Sequence, residues 1–83
     1  MSYLFMSKSL TYAQRSQRVL ERSGIYVGIM KAPVGLSGSG CSYSLSVPEA
    51  KAAKAAGILR KEGLLTGKIF IQDEDGSTRE TVL

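Results

Sequence analysis

The sequence predicts an α+β fold of the ferredoxin-like type: a βαββαβ sandwich, with a four-stranded antiparallel sheet and two helices on one of its faces. Three observations carry this expectation. Short apolar or alternating runs recur four times. Two segments of helical spacing lie among them, each closed by a glycine. The resulting order of strand, helix, strand, strand, helix, strand has to fit one small domain of 83 residues. Such a chain closes with strand one between strands four and three, and strand two at the edge beyond strand three.

Each element has its own signal. Tyr3-Leu4-Phe5-Met6 is an apolar run ahead of Ser7-Lys8-Ser9 and reads as strand one. Thr11 to Gln14 has the form of a capping box, with Thr11 as N-cap. Behind it Ala13, Ser16, Val19, Leu20 and Ser23 recur at helical spacing, and Gly24 ends the helix. Ile25, Val27 and Ile29 alternate with Tyr26, Gly28 and Met30 as strand two, which stops before Pro33. Tyr43, Leu45 and Val47 alternate with Ser42, Ser44 and Ser46, giving strand three one apolar and one polar face.

Pro48 suits a first helical turn. Ala52, Ala55, Ala56 and Leu59 then form one stripe of helix two, small enough for close packing on a sheet, and Gly63 closes it. Lys68 to Gln72 is strand four, with Ile69 and Ile71 inward. The boundary of the domain is set at residues 1–71, and residues 72–83 read as an acidic tail or a short extra strand turning at Asp75-Gly76.

Composition excludes several chemistries. The chain has one cysteine and no histidine, so an internal disulfide, the familiar zinc spacings and every Ser-His or Cys-His pair are ruled out. No metal and no cofactor is expected. Glu21, Glu49 and Glu62 fall on separate helical faces and suggest no carboxylate pair, so an enzyme in the full sense is not expected. The first residues lack the pattern of a signal peptide, and the longest run free of polar residues, Ile25 to Met30, is far too short to cross a bilayer. A cytoplasmic protein with a reduced thiol is the expectation. The net charge of +4 is uneven: residues 1–71 hold ten Lys/Arg against three acids (+7), and residues 72–83 hold Arg79 against four (−3). A basic body favours anionic partners, although a solvated basic surface is the plainer account.

The remaining feature is Gly35-Leu-Ser-Gly-Ser-Gly-Cys-Ser42, a Gly/Ser loop ending in the single cysteine, Cys41. The expected topology sets the start of strand three beside the end of strand one and the start of helix one. Cys41 would then lie near Ser7, Lys8 and the open amides of the first helical turn. The helix dipole and Lys8 both favour a thiolate. Ser37, Gly38, Ser39, Gly40 and Ser42 could converge their N–H groups as an anion-binding nest, with Lys31 at its entrance. The competing account is a plain β connection with Cys41 packed as a small apolar residue.

These residues resemble a family of small domains described as selenium/sulfur carrier-like. The resemblance runs from about Tyr3 to Phe70. It rests on Phe5-Met6-Ser7, the helix holding Ala13, Ser-Gly-Ile before strand two, Pro33, the serine-rich loop ending in Cys41, and the alanine-rich second helix. The family's pattern puts Gly directly after the cysteine; here Ser42 stands there and Gly40 precedes it. The resemblance implies a thiol that accepts sulfur or selenium as a persulfide and passes it on, between donor and acceptor proteins. Two other classes compete. One is a self-associating or ligand-sensing domain, a homodimer through an open sheet face bearing Tyr26, Met30 and Phe70. The other is an RNA-binding module, which shares the strand order but would need aromatics where strand three offers serines.

Overall fold

The computed structural model describes residues 1–31 and 43–83. The chain runs β1 (Ser2–Ser7), α1 (Leu10–Arg22), β2 (Gly28–Lys31), β3 (Tyr43–Pro48), α2 (Glu49–Lys61), β4 (Ile69–Gln72) and β5 (Thr78–Thr81). All pairings are antiparallel, in the order β2-β3-β1-β4-β5. The most apolar run of the chain thus forms the central strand.

The sheet has five strands, where four were expected. The acidic tail supplies the fifth. Asp73 N–H donates to Ser77 O, Gly76 N–H donates to Asp73 O, and Gly76 takes φ 88°, a left-handed conformation that favours glycine. Both the Ser77 hydroxyl and its N–H donate to Asp75 Oδ1, at 2.6 and 2.9 Å, and hold that carboxyl below its ordinary value. The turn so closed lets Thr78–Thr81 pair with β4, and Arg60 Nη2 donates to Leu83 O at 2.7 Å.

Strand two is shorter than its alternation suggested. Ile25 and Val27 are buried, yet they precede the ladder. Gln17 Nε2 donates to Val27 O at 2.9 Å, so α1 takes the carbonyl that a longer strand would have used. Helix α1 starts earlier than expected: Ser9, not Thr11, is the N-cap, its Oγ accepting from Tyr12 N–H at 3.2 Å. Pro48 is the N-cap of α2 as well as the last residue of β3.

Register assigns the faces. Phe5 lies opposite both Leu45 and Ile69, and Leu45 lies opposite Ile29. This face carries the core, where Phe5, Leu45, Val47 and Ile69 meet Ala13 and Leu20 of α1 and Ala52, Ala55, Ala56 and Leu59 of α2. Of Leu20, Val27, Ile29, Leu45, Val47, Ala56, Leu59 and Ile69, all expected inside, Ile29 alone is only half-buried. The other face departs from its reading as open, with a polar side on strand three. Leu4, Met6 and Ser44 are buried there, and Ser46 and Phe70 are half-buried.

Candidate functional site

The site is built at the end of the sheet where β1 gives way to α1. Register sets Ser7 opposite Tyr43, and Tyr43 opposite Lys31, so the three form a row across β1, β3 and β2. Ser7 is the last residue of its strand and is 3% exposed. Its Oγ has no hydrogen-bond partner among the described residues. A buried hydroxyl without a partner costs about 1–3 kcal/mol and calls for an explanation.

Lys8 and Ser9 bridge the short step from strand to helix. Ser9 Oγ takes the Tyr12 amide, and Ser9 O takes that of Ala13. The amides of Leu10 and Thr11 belong to the same first turn, which has no intrahelical acceptor for them. No acid stands in this turn, so the positive end of the α1 dipole is not offset by its own helix. The Lys8 ammonium lies 4.6 Å from the centre of the Tyr12 ring, a cation–π contact that keeps its charge over the helix start.

Two further buried hydroxyls have no described partner. Ser44 lies opposite Met6 in β3, and the Ser44 Oγ is buried without a described partner. Thr66 Oγ1 is in the same condition. Gly67 follows it and sits so close to β1 that a Cβ there would come within 2.6 Å of Met6 O. That approach admits only glycine. It also lets Lys68 O accept the Met6 N–H at 2.9 Å, extending the β1–β4 ladder.

Ser7, Lys8 and Lys31 therefore fall at one end of the sheet. Cys41, Ser37, Gly38, Ser39, Gly40 and Ser42 lie outside the described residues. Sequence reasoning missed Tyr43, Ser44, Thr66 and Gly67 as parts of this end. Gly67, one residue before a strand, was the only visible signal among them. The hydroxyls gave none, because burial on both sides of a strand is decided by its neighbours.

A family model described as "Putative Se/S carrier protein-like" matches residues 2–71. The chain belongs to this family. No curated protein and no solved structure matches it. The span of the Se/S carrier protein-like match takes in Ser7, Lys8, Lys31 and the stretch of sequence holding Cys41, and it stops short of β5. The fifth strand is thus an addition beyond the matched region. Among the described residues of this Se/S carrier protein-like chain, no helix is long and apolar enough to cross a membrane.

Proposed function

We propose that this chain carries sulfur or selenium on Cys41, held as a persulfide or its selenium counterpart, between a donor and an acceptor protein. The family match over residues 2–71 is the observation that carries this reading. We read the fold as a ferredoxin-like βαββαβ core extended by β5. Cys41 stands two residues before Tyr43 in the sequence, and Tyr43 pairs with Ser7 at the start of α1. An uncompensated helix N-terminus and the Lys8 charge both favour a thiolate over a thiol nearby. Ser7, Lys8 and Lys31, with Ser37, Gly38, Ser39, Gly40 and Ser42 of the loop, are the polar groups that would surround the anion.

The chemistry is a displacement. The Cys41 thiolate attacks the terminal sulfur of a donor persulfide; a new S–S bond forms, the donor's S–S bond breaks, and the donor leaves as a thiolate. No external oxidant is required. With one cysteine in the chain, the loaded form cannot resolve itself as an internal disulfide, so release depends on an acceptor. Such a thiol needs a reducing compartment, and the cytoplasm suits it. Exposed Tyr26 and Met30, at 73% and 45%, are compatible with self-association of the carrier.

The pH dependence of Cys41 alkylation tests the thiolate, and mass spectrometry after incubation with a cysteine desulfurase and free cysteine tests the cargo. The expected midpoint lies below that of free cysteine, with a gain of one sulfur that Cys41→Ser abolishes. Lys8→Glu is expected to raise the midpoint. An unshifted midpoint with no sulfur adduct would overturn the proposal.

A further inference from the structure

We infer that the groove between α1 and the C-terminal half of α2 is a docking surface for an acidic segment of a partner protein. Arg15, Arg18 and Arg22 are spaced so that they share one stripe of α1. They border an open hollow of about 240 Å³ with Val19, Glu62 and Leu64. A second hollow of about 310 Å³ continues it through Val19, Arg22 and Glu62 to Ile58 and Lys61. Four cations against one carboxylate leave this groove at +3. Val19, Ile58 and Leu64 are the apolar side chains in its lining.

No ion pair or side-chain hydrogen bond among the described residues engages Arg15, Arg18, Arg22 or Lys61. Among the described residues the one ion pair is Lys68, just before β4, with Glu80 of β5 at 3.6 Å. Arg22 and Lys61 stand in last helical turns, where the dipole explains a cation. Arg15 and Arg18 stand in the body of α1, where it does not. The two aspartates of the acidic C-terminal segment are an unsuitable occupant. Asp73 and Asp75 are engaged in the β4–β5 turn through Ser77. A foreign carboxylate remains, and guanidinium groups receive it in a two-point geometry that lysines lack.

The shape indicates a polypeptide. Two small open hollows in series suit protruding side chains, whereas an enclosed ligand needs a deeper cavity. Val19, Ile58 and Leu64 would take apolar side chains placed between the carboxylates. No aromatic side chain lines the groove among the described residues, so it lacks the stacking platform of a nucleic-acid channel. The docking surface stands on α1, the end of α2 and the residues just beyond them. That its partner is the sulfur or selenium donor or acceptor rests on the carrier reading.

The probe is a short fluorescein-labelled peptide repeating Glu-Glu-Leu, titrated with the full chain and followed by fluorescence anisotropy at low salt. Binding is expected, and the double substitution Arg15→Glu, Arg18→Glu is expected to weaken it roughly tenfold or more. Arg79→Glu on β5 removes equal charge per site and should leave it nearly unchanged. Cys41→Ser should bind like the parent, so a failure of carrier chemistry and a failure of docking are read separately. Circular dichroism confirms that each variant is folded. No peptide binding, an equal loss with Arg79→Glu, or tighter binding of an oligouridine that the same arginines control would each overturn the inference.

Discussion

The two helices have the same length and the same ending, yet they serve different ends of the molecule. Each has 13 residues and stops on a left-handed glycine, Gly24 at φ 81° and Gly63 at φ 71°. In both, the next amide reaches back to a leucine carbonyl, Ile25 N–H to Leu20 O and Leu64 N–H to Leu59 O. Their starts differ. Helix α2 has Glu49 in its first turn and no side-chain cap, whereas α1 has the Ser9 cap, Lys8 beside it and no acid. The positive end of α2 is offset by its own residue, and that of α1 is left for something else.

Their faces differ too. Helix α2 buries three alanines and Leu59, a flat stripe that fits close against the sheet. Helix α1 buries Ala13, Ser16 and Leu20, with the Ser16 hydroxyl returned to Tyr12 O at 2.8 Å. Its other side carries the arginine stripe. One helix is packing; the other joins packing to charge at both its start and its outer face.

The largest test of this contrast is in the shared core. Leu20→Ala and Leu59→Ala should each cost about 2–5 kcal/mol in urea unfolding, because both leucines are 1% exposed or less and in one cluster. A much smaller cost for either would show that its helix is not part of that core.

Glycine-to-alanine changes in and after the helices should have opposite signs. Gly24→Ala places a Cβ on a left-handed residue and should cost roughly 1–2 kcal/mol. Gly57→Ala within α2 meets no atom within 4 Å and should stabilise by about 0.5–1 kcal/mol. Thermal melts of the two variants, moving in opposite directions, would confirm that the glycine after α1 is a terminator and the glycine in α2 is only a tolerated weakness.

The finest test concerns the start of α1. Ser9→Ala should cost about 1 kcal/mol, and amide exchange should quicken first at Tyr12, which loses its acceptor. No change at Tyr12 would mean that the cap contributes nothing and that the contrast between the two helix starts rests on charge alone.

Much of this architecture was legible in the chain. Period-two alternation at Tyr43-Leu45-Val47 and helical spacing at Ala52-Ala55-Ala56-Leu59 each admit one element type, and a glycine after each helix fits a single backbone conformation. Histidine-free, single-cysteine composition alone excluded an internal disulfide and every Ser-His or Cys-His pair. What only the tertiary structure decided depends on partners distant in sequence. Residues 72–83 read as either an acidic tail or a short extra strand; the Asp73–Ser77 turn and the free edge of β4 decide for a strand at Thr78–Thr81. Ile25 and Val27 alternate like a strand but spend a carbonyl on Gln17. Ser44 looks like the solvent side of an amphipathic strand and is buried opposite Met6. Local spacing specifies which way a side chain points along its own element, whereas burial and pairing are set by the elements on either side, which no local pattern encodes.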